Sequence, residues 1–364
     1  MPEVSKQPTT LKNYYSRELV QSIAKNCKEQ YADFEILLFE KNVLSNNWEQ
    51  LELKDRMHRI AEILGASLPK DFKQSISIIL KVANNYSGLA HMCFPDFVEK
   101  FGIDDFETSM MALEDLTEGS SSEFAIRPFI IRYPELTMQQ MKEWTKSNNY
   151  HVRRLATEGC RPRLPWAMAL PEFKQDPKLV LETITDLIDD DELYVRRSVA
   201  NNLNDISKDH PKMVSEIASQ YLGRSKEVDW VIKHACRGLL KKGDKEVLAL
   251  FGFSDVGHIN ITNFKLDKSV CLEEKVNFSF DLISNKNSLG KLRVEFIIDF
   301  MKANGKTAGK IFKIYEGDFD EKYKSTKKYY SFKKISTRKY YLGKHKLHVV
   351  INGDVFASKQ FLLT

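Results

Sequence analysis

The stretch Ser147 to Trp166, SNNYHVRRLATEGCRPRLPW, decides how the first two thirds of the chain is read. Val152, Leu155 and Ala156 fall three and four residues apart, the spacing of an apolar stripe along one face of a helix. Glu158 then falls on the polar side of that helix, and Arg161-Pro162-Arg163 and Pro165 break the pattern before Trp166. A purely structural helix pair has little reason to gather a carboxylate, several guanidinium groups and an aromatic ring at one corner. Trp166 follows Pro165, so it ends a loop or starts a helix and does not sit within one.

Working outward, the stretch has copies. Val152-Arg153-Arg154 recurs as Val195-Arg196-Arg197, 43 residues on, and more loosely as Val231-Ile232-Lys233, a further 36 on. Periods of this size belong to HEAT-type repeats, each a pair of antiparallel helices. The clearest unit is DDDELYVRRSVANNLNDI, residues 189–206. Asp189 to Asp191 offer negative charge to the helix N-terminus, Val195, Val199, Leu203 and Ile206 form its buried stripe, and Pro211 lies past its end. Arg197, Asn201 and Asp205 line the opposite side, four residues apart. Upstream the pattern is helical from about Ser16 to Lys146, interrupted at Pro69, Pro95 and Pro134.

After Gly252 the period changes from helical to two. Val276, Phe278, Phe280 and Leu282 alternate with polar residues, as do Leu292, Val294, Phe296, Ile298 and Phe300. Asn304-Gly305 and Asn352-Gly353 are hairpin-turn signals. The expected architecture is an α-helical HEAT-like repeat solenoid over residues 1–252, followed by an all-β, antiparallel immunoglobulin-like sandwich over residues 258–364.

Charge is uneven between the two. Residues 251–364 carry 21 Lys and Arg against 12 Asp and Glu, whereas the rest of the chain carries 34 against 38. A near-neutral body with a basic C-terminal domain suits a polyanionic partner. No run of about 18 apolar residues occurs, so no membrane span is expected. The N-terminus lacks a hydrophobic signal core, and five scattered cysteines without a CxxC point to a reducing, cytoplasmic setting without disulfides or a zinc site. There is no Gly-rich phosphate loop followed by Lys-Ser/Thr, no GxSxG elbow and no HExxH, which sets aside the corresponding nucleotide, serine-hydrolase and metalloprotease chemistries.

Three carboxylates stand out. Glu123 lies in SSSEFAIRPFIIRYPE, where Ser120 to Ser122 are expected to cap a helix that Pro128 interrupts early. Singly it reads as a glutamate serving the helix dipole. Glu158 and Asp205 project from corresponding helices of adjacent repeats and should face one surface; each alone reads as a solvated partner of an arginine, but together beside Trp166 they read as a site. Arg154, Arg161, Arg163, Arg197, Lys233, Arg237, Lys241 and Lys242 would form a strip for phosphate contacts. Arg153 and Arg196 occupy the position that ties repeats together. Trp144 and Trp230 read as core. In the C-terminal domain, residues 322–340 interleave eight Lys or Arg with Tyr323, Tyr329, Tyr330, Phe332 and Tyr340, a pattern that suits contact with a sugar-phosphate backbone and, nearly as well, a solvated edge strand guarded by lysines.

RRLATEGCRPRLPWA, SSEFAIRPFI and VRRSVANNLNDISKDHP together resemble the AlkC branch of the AlkC/AlkD DNA alkylation repair glycosylases, and RKYYLGKHKLHVVINGD resembles the immunoglobulin-like domain that some AlkC members carry. The Trp-Asp-x-x-Asp helix of the AlkD branch is absent. The resemblance implies excision of cationic alkylated bases, 3-methyladenine and 3-methylcytosine, from double-stranded DNA by a monomer without cofactor or metal. It places the catalytic carboxylates on Glu123, Glu158 and Asp205 and the aromatic contact on Trp166. Asp205 is the first choice for holding water and stabilising charge, with the two glutamates assisting. A tight pocket for a flipped base is not required in this family, and the sequence gives no sign of one. Two other readings compete: a DNA-structure-binding protein that excises nothing, which would keep the basic strip and lose the acids, and a HEAT-repeat adaptor for another protein, which leaves the Arg-Pro-Arg corner unexplained.

Overall fold

The computed structural model describes residues 10–364. These fall into two compact units. One runs to His210 and takes in Gly223–Ala235; the other holds Pro211–Leu222 and Cys236–Thr364. The division differs from the expected one at residues 252–258, because the helices Pro211–Tyr221, Arg237–Lys242 and Lys245–Leu250 group with the strands. Among the described residues no helix is long and apolar enough to cross a membrane.

The first unit is helical throughout. Several of its helices begin where a short polar side chain can satisfy an otherwise unpaired N–H: Ser16 caps Arg17–Gln30, Asp71 caps Phe72–Ala83, Asp105 caps Phe106–Leu116 and Asn149 caps Tyr150–Glu158. Pro69 separates two helices as expected, but Pro95 lies in the first turn of Cys93–Phe101 and Pro134 opens Pro134–Trp144. At those positions the missing N–H costs nothing, so proline starts these helices instead of breaking them.

The repeat register holds. Tyr150–Glu158, Leu193–Ile206 and Lys226–Ala235 pack side by side in chain order, and Val152, Val195 and Val231 are all buried. Polar ties cross the first of these contacts. Thr157 Oγ1 lies 2.6 Å from Ser198 Oγ, and Asn202 Nδ2 donates to the Thr157 carbonyl at 2.8 Å. Arg153 forks onto Asp190 at 2.6 and 3.1 Å while donating to the Ser147 and Asn148 carbonyls, and Arg196 donates to the carbonyls of Asp190 and Asp191. Arg153 thus ties one repeat to the next, whereas Arg196 closes on the loop just before its own helix, and Asp190 both pairs with Arg153 and accepts from Glu192 N at the helix start. Trp144 is core, donating to Glu114 at 2.8 Å, but Trp230 is not: it is 39% exposed and stacks on the His234 ring at 5.1 Å.

In the second unit the strands are β1 (Ile259–Leu266), β2 (Ser269–Val270), β3 (Lys275–Ser284), β4 (Gly290–Met301), β5 (Thr307–Phe319), β6 (Tyr323–Ser331), β7 (Gly343–Ile351) and β8 (Asp354–Leu363). They form a three-stranded sheet, β1-β3-β6, and a five-stranded sheet, β2-β8-β7-β4-β5. All pairings are antiparallel except the short β2–β8 pair. The alternating residues Val276, Phe278, Phe280 and Leu282 of β3 meet Leu292, Val294, Phe296, Ile298 and Phe300 of β4 in one core. Asn352 and Gly353 both have positive φ, 44° and 84°, which the two-residue turn between β7 and β8 requires. There the buried Asn352 side chain accepts from Arg293 N and donates to the carbonyls of Ser254 and Lys291.

Candidate functional site

The three carboxylates come together in the first unit, each from a separate element. Asp205 lies in the last turn of Leu193–Ile206 and Glu158 ends Tyr150–Glu158. Glu123 lies in the turn before Arg127–Arg132. The expected cap there is corrected: Pro128 sits in the first turn and starts the helix, Ser122 Oγ donates instead to the Leu113 carbonyl, and Ser121 Oγ donates to Glu123. The sequence puts Glu158 on a polar face, yet it is 5% exposed, and Asp205 is 2% exposed.

Buried carboxylates need partners, and these have them. The side chains alternate in sign along a line, Glu123–Arg154–Glu158–Arg161–Asp205–Lys208. Arg161 binds Glu158 Oε1 through Nη1 at 2.5 Å and Asp205 Oδ2 through Nε and Nη2 at 3.0 and 2.9 Å. Burial works against the charge of Arg161, but the two carboxylates outweigh it and hold the guanidinium above the ordinary arginine range. Arg154 binds Glu123 and Ser121, stands 3.5 Å from Glu158 Oε1, and lies 4.8 Å from the centre of the Tyr194 ring. Both oxygens of Asp205 are occupied, Oδ1 by Lys208 at 2.9 Å and Oδ2 by Arg161. Glu158 Oε2 and Glu123 Oε1 accept no hydrogen bond among the described residues and are the open acceptors of the line.

The predicted basic strip therefore divides. Arg154 and Arg161 are withdrawn from it, because both are largely buried and spend their donors on the carboxylates. Arg163 forks onto Asp209 and is about one third exposed. Arg197 and Lys233 are exposed on the first unit, and Lys241 and Lys242 on the second, where Arg237 is half-buried. In the segment 322–340, Phe332 is buried and Tyr330 and Tyr340 pack on the sandwich core, their hydroxyls 2.8 Å apart. Only Tyr323 and Tyr329 of the interleaved aromatics are well exposed, on the edge strand β6.

Trp166 is 64% exposed and has φ +65°. Ala167 N donates to the Leu164 carbonyl at 3.3 Å with Pro165 in between, the pattern of a type II turn, whose third position ordinarily takes Gly or Asn. A tryptophan there stores backbone strain that its surroundings must hold. Arg127 supplies part of the hold: fully buried, it donates to the carbonyls of Gly159, Arg161 and Met168 at 2.7, 2.9 and 2.8 Å. Burial brings its guanidinium down to about 10, still cationic at neutral pH. Next to Trp166 and Glu123 lies a hollow of about 290 Å³, walled by Met57, Leu89, Met92, Phe124 and Tyr194. Sequence reasoning offered no sign of a hollow and missed both Arg127 and Tyr194, although Tyr194 stands next to Val195, where the repeat places His151 next to Val152.

Residues 119–239 match the family model of the DNA alkylation repair enzymes, and residues 260–364 match that of the C-terminal immunoglobulin-like domain of the uncharacterised protein YhaZ. The chain is 42% identical to the uncharacterised protein YhaZ of Bacillus subtilis (strain 168), over 96% of this chain and 98% of that one. It superposes with a TM-score of 0.93 and 35% identity on the Pseudomonas fluorescens alkylpurine DNA glycosylase AlkC bound to DNA containing an abasic site analogue, over 98% and 99% of the two chains. With a helical unit bearing an acid–arginine line and a basic sandwich after it, the chain belongs to the DNA alkylation repair enzymes, in their AlkC branch with a C-terminal immunoglobulin-like domain.

Proposed function

We propose that this chain is a DNA glycosylase that hydrolyses the N-glycosidic bond of cationic alkylated bases, 3-methyladenine and 3-methylcytosine, in duplex DNA. The observation that carries the reading is the line of three carboxylates paired with largely buried arginines beside an exposed, strained Trp166.

An N3-methylated base leaves as a neutral molecule, so the bond is already weakened and no general acid is needed. The remaining work is to stabilise an oxocarbenium-like sugar and to bring water to it. Carboxylates fixed before the reaction stabilise the developing charge by several kcal/mol, on the order of 3 for a single well-placed group. Glu158 Oε2 and Glu123 Oε1 are the oxygens free to face the sugar, so we assign the water to Glu158. Asp205, the first choice from sequence, has both oxygens engaged and acts by holding Arg161 and adding negative potential. Trp166 would lie against the sugar or the cationic base, with cation–π contact worth about 1 kcal/mol. In this reading the helices stack as a HEAT-like solenoid, and Arg197, Lys233, Lys241 and Lys242 contact phosphates of a bent duplex, with the protein acting as a monomer.

The test is release of free base from methylated duplex DNA by the wild type, Glu158→Gln and Asp205→Asn. Release by the wild type, falling about 10²-fold or more in Glu158→Gln, is the expected result. Full activity in Glu158→Gln removes it from the mechanism. Salt-sensitive DNA binding without base release by any of the three would move the chain to the structure-binding reading.

A further inference from the structure

The Trp166 turn is held from a second side. Lys54, in the first turn of the helix Leu53–Ser67, donates its ammonium to the Trp166 carbonyl at 3.0 Å across 112 residues of sequence. The same ammonium stands 5.0 Å from the centre of the Phe124 ring, next in the chain to Glu123. Among the described residues this is the one side-chain hydrogen bond to the backbone of residues 164–167, since Arg127 acts at Gly159, Arg161 and Met168. Lys54, Phe124, Glu123 and Trp166 also wall the same hollow.

We propose that Lys54 is a positioning residue for Trp166. A carbonyl fixed in direction fixes its peptide plane, and with φ at +65° that plane sets where the indole projects. A left-handed tryptophan has competing backbone states close in energy, because this region costs a residue with a Cβ roughly 1–2 kcal/mol. A single charge-assisted bond is enough to choose among them. The inference rests on the reading of Trp166 as the aromatic contact to the lesion.

The experiment uses the full chain with Trp230→Phe, because Trp48 and Trp144 are buried and Trp166 is then the indole that acrylamide reaches. Lys54→Met, Lys54→Arg and Trp166→Ala are compared by acrylamide quenching and by single-turnover release of 3-methyladenine from methylated duplex. Lys54→Met is expected to change the quenching and slow release about tenfold, with DNA affinity little changed, and to add no further loss on top of Trp166→Ala. Lys54→Arg restores both. Unchanged quenching in Lys54→Met overturns the proposal, as does changed quenching with undiminished release, or a loss that adds in full to that of Trp166→Ala. If no chain, wild type included, releases base, the glycosylase reading fails, while quenching still decides whether Lys54 holds Trp166.

Discussion

Arg161→Met is the perturbation that separates a guanidinium built into the site from one that grips DNA. The residue is 7% exposed and its three bonds to Glu158 and Asp205 span 2.5 to 3.0 Å. Methionine fills similar space with nothing to donate, leaving two buried carboxylates that repel each other. Removing one partner of a buried pair costs about 3–5 kcal/mol. Lys208 still holds Asp205 and Arg154 still stands near Glu158, so the lower end, about 3 kcal/mol, is expected. For a unit of this size that lowers the melting temperature by roughly 6–12 °C. Asp205→Asn should recover part of the deficit in the double mutant. The assay is thermal melting together with a salt titration of DNA binding. An unchanged melt with weaker binding and a salt slope reduced by about one would show that Arg161 contacts a phosphate and would refute the network.

Three further outcomes follow from the geometry. Trp166→Gly should melt above Trp166→Ala by roughly 1 kcal/mol, because only glycine adopts φ +65° without cost, while both lose base release; equal melting would mean the positive φ is not kept. Burial, then Asp96, push the Glu99 carboxyl up to about 7 against the opposing pull of His58 and Lys54. Folded Glu99 thus holds its proton more tightly than unfolded Glu99, and the stability this provides below pH 4.5 is lost as pH rises through 7. Glu99→Gln should therefore melt with the wild type at pH 5 and above it at pH 8, by at most about 3 kcal/mol. Gly353→Ala should cost at least about 2 kcal/mol, since a Cβ would come within 2.8 Å of Gly243 Cα and 2.9 Å of Leu248 Cδ1, whereas Gly305→Ala, with nothing within 4 Å, should cost about half that in chemical denaturation.

What the sequence made legible was whatever periodicity encodes. Val152, Val195 and Val231 announce three helices in register because a buried stripe must recur every turn, and β3 and β4 announce themselves by strict alternation. Glu158 and Trp166 stood out because they interrupt those patterns, whereas Glu123 and Asp205 fit theirs and were singled out by the family resemblance. Partnership was not legible. Arg154 and Arg161 look in sequence like any surface arginine, and only the fold reveals that their donors end on carboxylates 31 and 44 residues away. Arg127 and Lys54 were beyond reach for a related reason: each acts on backbone carbonyls of a distant segment, and a carbonyl leaves no mark in the sequence. The grouping of Pro211–Tyr221 with the strands was likewise hidden, since its helical pattern says nothing about which core it joins.

The withdrawn arginines also bear on how the site can work. Glu158 and Asp205, each at most 5% exposed, both bond to the one Arg161 guanidinium, so neither buried carboxylate is left without a cation. Arg161 balances their charge while leaving Glu158 Oε2 without a hydrogen bond. Arg154 does the same between Glu123 and Glu158, leaving Glu123 Oε1 open. The resting line carries three negative and three positive groups, so its burial is tolerable, yet the open oxygens keep a negative edge for whatever cation arrives. In the proposed reading discrimination would depend on charge: a neutral base with an intact glycosidic bond would gain little from that edge, and a methylated cation would gain at both the ground state and the transition state. Kinetically, Glu158→Gln should therefore cost more with a cationic base than with a neutral alkylated base of similar size, and an equal loss on the two substrates would place the selectivity elsewhere.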